Sequence, residues 1–295
     1  MKDHLIKSIV KKSKYSLSED NKINLKEKGY FIIYKTKKEW MDLGIDLDLI
    51  SDVIDDLIKT EDWRGGWDNI KHLMIEGQHP EKGAQRLNNL LRKHECFRKL
   101  FTIHELLEAS WLVIQSEIAL SQIILRMPLP GEGDQPWHVD WSPRKKNNEK
   151  FKSVLGSLLL DDYSKDNGST RLIPGTHNTL KTPANSGYYY QDHPEQVYLE
   201  APRGSMLIYN SQLWHRGSKC INGKRRRHIN INYRSRNIWQ QINFKKELPE
   251  KLKNSFSEDE KYLLKIRDID KDRNEFLFRY RNNFLVKRIT DFIWN

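Results

Sequence analysis

From residue 117 to about 240 the chain is written as short apolar or alternating segments, each closed by a turn signal. That texture limits this stretch to a β core. Residues 118–127 read as a strand stopped by Pro128-Leu129-Pro130-Gly131. Residues 137–141 read as the next. Residues 152–160 alternate weakly and then become wholly apolar, like a central strand. Asp166-Asn167-Gly168 is a turn signal, and Arg171-Leu172-Ile173 is a brief strand halted by Pro174-Gly175. Residues 197–199, 205–209 and 226–233 complete the series. Strands at this spacing predict a sandwich, jelly roll or barrel.

The flanks read differently. Gly29-Tyr30-Phe31-Ile32-Ile33-Tyr34 is a short buried strand entered through glycine. Residues 1–28 are polar and basic, a short helical lead-in. The later part of 37–59 has helical spacing, and 84–91 and 97–115 read as helical with an apolar stripe for the back of a sheet. Residues 61–82, with Trp63-Arg64-Gly65-Gly66-Trp67 and Glu76-Gly77-Gln78-His79-Pro80, read as loop. Residues 245–295 are helical and highly charged, a cap on the β core or an oligomer contact. No composition break divides the 295 residues. The expectation is one domain over 1–295: a core at about 117–240, helical support over 1–116 and a helical cap over 241–295.

Lys and Arg number 51 against 40 Asp and Glu, a net charge of +11. A basic surface draws nucleic acid, anionic lipid or an acidic small molecule. Lysine is scattered here, which disfavours nucleic acid and leaves an anionic small molecule as the expected partner. No apolar run approaches the roughly 20 residues of a membrane span. Residues 1–6 lack the apolar stretch of a secretory signal. Cys96 and Cys220 give neither a disulfide framework nor zinc spacing. A cytoplasmic setting is expected, for a monomer or a homodimer.

Trp137-His138-Val139-Asp140-Trp141 carries the chemistry. Strand side chains alternate, so His138 and Asp140 project from one face. Two histidines and one carboxylate form the set that holds non-haem Fe(II) with open positions. The candidate for the remaining ligand is His215, far downstream in Leu213-Trp214-His215-Arg216-Gly217-Ser218, just past the apolar strand that ends at Tyr209. By parity Trp137 and Trp141 face away from the ligands.

Asn167-Gly168-Ser169-Thr170-Arg171-Leu172-Ile173-Pro174-Gly175-Thr176-His177 resembles the "NG…PGSH" signature of the phytanoyl-CoA dioxygenase-like family. The resemblance runs in order through residues 29–34, His138–Asp140, this segment, His215–Ser218 and Arg226, about residues 25 to 240. It implies a double-stranded β-helix (a cupin-like jelly roll), mainly β with flanking helices, using Fe(II), 2-oxoglutarate and O2. His138, Asp140 and His215 match the family's iron triad. Arg226, eleven residues past His215, stands where the family anchors 2-oxoglutarate. An arginine fork suits a carboxylate. On 226–233, Arg226, His228, Asn230 and Asn232 share one face, opposite Arg227, Ile229, Ile231 and Tyr233. That fits a strand lining a site on one side and packing on the other.

Two positions depart from the family. Gly217 stands where a serine or threonine often assists the cosubstrate, and Val139 where glutamine is common. Thr170 and Gln122 are candidates for the missing hydrogen bond. Asp140 also separates the chain from the halogenating branch, in which a small residue replaces the carboxylate. The implied reaction is therefore hydroxylation of an unactivated C–H bond with release of succinate and CO2. Desaturation, cyclisation or epimerisation are alternatives on the same ligands. Trp141, Arg144, Tyr189 and Asn230 are the candidate substrate contacts, while His177 reads as structural. A nucleic-acid dealkylase would need Arg-x-Asn-x-Thr-x-Arg after the distal histidine. The nearest text is His228-x-Asn230-x-Asn232-x-Arg234, without the first arginine. A non-catalytic cupin-like binding protein would not need an intact triad with an anchor arginine.

Overall fold

The structure, a computed structural model, describes residues 5–11, 16–61, 83–141 and 143–266. Among these, nine strands form two sheets. In chain order they are β1 (Tyr30–Ile33), β2 (Ala84–Leu87), β3 (Ile118–Pro128), β4 (Ser153–Leu159), β5 (Thr170–Leu172), β6 (Val197–Tyr198), β7 (Met206–Asn210), β8 (His215–Gly217) and β9 (His228–Ser235). The larger sheet runs β1-β7-β4-β9-β3-β2, the smaller β6-β5-β8. Every ladder is antiparallel, and most partners are distant in sequence, as in a jelly roll.

Period-two alternation gives the larger sheet two different faces. Val154, Leu158, Ile229, Ile231 and Tyr233 point to the back, where they meet Leu106 and Ile114 of the helix His104–Ile114. Each fully buried aliphatic side chain here contributes about 1.5–3 kcal/mol. Gly156 lets the helix approach closely: a Cβ there would lie 3.0 Å from Leu106 and nearer still to the Met206 methyl. On the front face, Leu155, Leu159, Leu207 and Tyr209 meet Tyr163, Leu172, Leu199, Ala201 and Leu213 between the two sheets. The polar row of β9 also faces forward.

Most predicted strands form, including β1. Three expectations change. Residues 84–87 pair with β3 as β2 instead of forming a helix, and only Leu90–Lys93 is helical beyond them. The segment 137–141 is not a ladder strand. It touches the sheet through one isolated antiparallel bridge, His138 to His215. The region 1–116 is not purely helical support, since β1 and β2 are the outer strands of the larger sheet.

Helices do form at Lys37–Asp42, Leu47–Glu61 and His104–Ile114, and short ones at Phe244–Glu247, Glu250–Ser255 and Glu258–Leu263. The expectations for 62–82 and for 267–295 lie outside the described residues. No helix among the described residues is long and apolar enough to cross a membrane.

Candidate metal centre and adjoining cavity

The larger sheet's front face presents three cross-strand rows, about 7 Å apart along the strands. Tyr209, Leu155, Asn232 and Gln122 form the first. Leu207, Ser157, Asn230 and Ile124 form the second. Leu159, His228, Arg126 and Arg86 form the third. Most of these side chains, with Gln135, Thr170, Gly217 and Gln241, line a cavity of about 390 Å3. His138, Asp140 and His215 stand on the same wall.

Ligand atoms of His138, Asp140 and His215 all lie within 4.8 Å of one another. Backbone bonds set the loop that carries two of them. His138 and His215 exchange N–H···O bonds of 3.0 Å, and Asp140 N donates to Ser211 O at 2.8 Å. Each imidazole is oriented from behind. His138 Nδ1 donates to Pro136 O at 2.9 Å, and His215 Nδ1 donates to Leu213 O at 2.9 Å. A carbonyl can only accept, so Nδ1 carries the proton and Nε2 keeps its lone pair for a metal.

The electrostatics suit a cation. Burial, with repulsion from His215, pushes the His138 imidazole down to about 3, so it is neutral at ordinary pH. Burial works against an ionised Asp140. The charge of His215, with hydrogen bonds from His215 and Tyr209, outweighs it and holds the carboxyl below its usual range. His215 moves up despite burial, because Asp140 Oδ2 lies 3.4 Å from its Nε2. A divalent ion would take the role that this proton fills. Two neutral imidazoles and a carboxylate, with other cavity space beside them, match the donor set of non-haem iron.

The third row makes one end of the cavity cationic. Arg126 and Arg86 line it. The Arg126 charge acts on His138, Tyr163, Tyr209, His215 and His228. Arg226 is buried behind that row. Its Nη1 donates to Tyr163 Oη at 3.0 Å and lies 3.4 Å from His228 Nδ1. That end has the charge to receive a dicarboxylate. Arg225 and Arg227 point elsewhere, to Asp55 and to Asp161 with Asp55.

The sequence-predicted residues separate cleanly. The triad, Gln122, Thr170 and Asn230 line the cavity, and Arg226 stands just behind it. Trp141, Arg144 and Tyr189 are not on its wall. Arg144 stacks on Phe151 at 4.2 Å and donates to Asn147 O, while the Tyr189 carbonyl accepts from Trp137 N. His177 is buried with Nε2 on Lys26 O, a structural role as expected.

Sequence reasoning missed Arg126, Gln135 and Tyr209. The Gly217 departure pointed to one of them. Gly217 N donates to Gln135 Oε1 at 2.9 Å, and a Cβ on residue 217 would lie 2.6 Å from Gly133 O and 2.9 Å from that same Oε1. Gln135 takes the space that a side chain at 217 would fill. A larger cavity of about 760 Å3 lies between the helix His104–Ile114 and the C-terminal helices, with no triad residue on its wall.

Comparison with known proteins agrees with this geometry. A family model described as phytanoyl-CoA dioxygenase (PhyH) matches residues 67–228. The uncharacterized protein Mb1539 of Mycobacterium bovis is 28% identical over 96 residues, 32% of this chain and 34% of that protein. The match thus spans about a third of that relative's length. Many solved structures share the fold, among them these two. One is SnoK, a non-heme alpha ketoglutarate dependent carbocyclase from nogalamycin biosynthesis, with a TM-score of 0.56 and 14% identity over 75% of this chain and 85% of that one. The other is HygX from Streptomyces hygroscopicus with nickel and 2-oxoglutarate bound, with a TM-score of 0.56 and 13% identity over 77% and 91%.

Proposed function

Because the chain belongs to the phytanoyl-CoA dioxygenase (PhyH) family, we propose that it is an Fe(II)- and 2-oxoglutarate-dependent oxygenase that hydroxylates an unactivated C–H bond of a small anionic molecule. The observation that carries this reading is the His138, Asp140, His215 cluster on the wall of a cavity with a cationic end. Iron and 2-oxoglutarate bound there would supply the oxidising power for oxygen insertion, with succinate and CO2 as coproducts.

The chain's own residues do the rest. His138 and His215 offer Nε2, fixed by their Nδ1–H bonds to backbone carbonyls. Asp140 offers a carboxylate whose Oδ2 accepts from the Tyr209 hydroxyl. Arg126 and Arg226, at the cationic end, would hold the distal carboxylate of the cosubstrate, while Gln122 and Thr170, elsewhere on the cavity wall, would donate hydrogen bonds to other parts of it. The apolar cluster of Leu155, Leu159, Leu172, Leu207 and Leu213 keeps bulk water from the sheet interior. That low-dielectric surround strengthens each charged contact inside. Cys96 and Cys220 are both free, which accords with a reducing, cytoplasmic setting.

The test is succinate release from 2-oxoglutarate in the presence of Fe(II) and O2. His138→Ala and Asp140→Ala should each abolish it while circular dichroism and the melting temperature stay near the parent values. Turnover retained in either variant would sink the assignment.

A further inference from the structure

Arg234 is the next residue on the front face of β9 after His228, Asn230 and Asn232, and it is 5% exposed. Five other arginines are as buried: Arg171 and Arg216 reach Asp134, Arg227 reaches Asp161, Arg236 donates to the Tyr262 carbonyl, and Arg226 stands at the cationic end of the cavity. Arg234 makes no such ion pair among the described residues. Its Nε donates to Asn232 Oδ1 at 3.0 Å, and its Nη1 is buried with no hydrogen-bond partner. Two indoles cover it, with Trp141 at 4.6 Å and Trp239 at 5.0 Å from the guanidinium carbon.

An uncompensated buried cation is expensive, and two cation–π contacts of about 0.5–2 kcal/mol each offset only part of that. Burial lowers the group to about 10, against the pull of Asp140, so it stays charged at neutral pH. Asp140 is thus near enough to act on it, yet its own Oδ2 is engaged by Tyr209 and His215. Arg234 therefore stands beside the candidate metal centre, on the side of Asn232 away from the cationic row of Arg86, Arg126 and His228. The metal and the cationic row would take both carboxylates of a dicarboxylate cosubstrate, which leaves Arg234 as a third carboxylate site.

We propose that Arg234, between Trp141 and Trp239, is the subsite that binds a carboxylate of the primary substrate and so sets its distance from the metal. This rests on the oxygenase reading, since it takes the His138, Asp140, His215 cluster as the reaction centre. A planar carboxylate received beside the two indole rings would meet the unpartnered Nη1 with a charge-assisted bond. Trp141 is half-buried and follows Asp140 directly on the ligand-bearing loop.

The test uses protein loaded with Ni(II) and 2-oxoglutarate, so that the cosubstrate end is filled. Benzoate is the probe, and benzamide is its neutral counterpart. Benzoate should quench tryptophan fluorescence saturably, with benzamide and inorganic phosphate without effect. Arg234→Gln should weaken benzoate binding at least tenfold and leave 2-oxoglutarate binding, measured by calorimetry, unchanged. Should the glutamine variant not fold, Arg234→Lys, which keeps the charge but not the fork, should lose at least threefold.

Benzoate affinity unchanged in a folded variant, no saturation by about 10 mM (the millimolar limit of specific binding), or phosphate binding as well as benzoate would each overturn the proposal. Failure of 2-oxoglutarate to bind the nickel-loaded parent protein would instead count against the oxygenase reading itself.

Discussion

The Tyr209 hydroxyl donates to Oδ2 of Asp140 at 2.9 Å and stands 3.4 Å from Nε2 of His215. Tyr209 comes from the larger sheet and His215 from the smaller, with Asp140 on the loop between β3 and β4. One hydroxyl thus ties together three parts of the fold at the candidate metal centre. Burial and the neighbouring Asp140 charge push the Tyr209 phenol well above its ordinary value, so it stays a donor.

The first prediction concerns that bond. A group that orients a metal ligand is commonly worth about 10–100-fold in metal affinity. Tyr209→Phe removes the donor and keeps the ring packed among Leu155, Leu207 and Leu213. Nickel or iron affinity by calorimetry should fall about tenfold, with little change in melting temperature. Unchanged affinity would mean that the Asp140 carboxylate is held by its backbone alone.

Arg226 and Arg126 should both matter to the cosubstrate, and Arg225 should not. Removing one partner of a buried charge pair costs about 2–5 kcal/mol. Arg226→Ala and Arg126→Ala should therefore raise the 2-oxoglutarate dissociation constant by about thirtyfold or more. Arg225 lies at the surface on Asp55, and its alanine variant should bind 2-oxoglutarate like the parent. A large effect at Arg225 with none at Arg226 would move the anchor.

How much of this was legible in the sequence depended on how local each signal is. Alternation within one strand exposed most of the ladder, including the polar row of β9. A His-x-Asp pair with a later histidine exposed the triad, because strand parity and residue chemistry suffice for it. Ala84-Gln85-Arg86-Leu87 misled, since all four are good helix formers and only pairing with β3 makes them a strand. The His138–Asp140 segment has strand-like composition, yet its backbone partners are His215 and Ser211 at single points. Arg126, Gln135 and Tyr209 were missed because their roles exist only across strands. Arg126 meets His228, and Tyr209 meets Asp140, over long sequence separations. Parity from the apolar strand would have put Tyr209 on the face of Leu207. Nothing local would have shown what stands opposite.

The Gly217 contact gives a third prediction. Its backbone is extended and open to any residue, so the constraint is space alone. Gly217→Ser would press a Cβ against Gly133 O and the Gln135 amide. Overpacking of this kind costs about 1–3 kcal/mol. Denaturant titration should show that loss. The double variant Gly217→Ser with Gln135→Ala should recover part of it, and no recovery would place the strain elsewhere.

The last prediction is a pH dependence away from the metal ligands. Arg227 is buried between Asp161 and Asp55, with its Nη2 2.8 Å from Asp161 Oδ1 and its Nη1 2.7 Å from Asp55 Oδ1. Burial would raise Asp161, but bonds from the Arg227 side chain and backbone N–H, with the guanidinium charge, hold it below its ordinary value of 3.8. The unfolded chain therefore binds this proton more readily than the folded one. Stability from the pair is complete above the ordinary value and is lost as pH falls through the lower folded value. Asp161→Asn removes a charge-assisted bond worth about 1.5–3 kcal/mol. The stability gap between parent and variant, measured by urea titration, should be constant from about pH 5 to 8 and shrink below about pH 4. A gap that widens on acidification would mean that Asp161 is already protonated in the folded protein, and that Asp55 alone compensates the buried guanidinium.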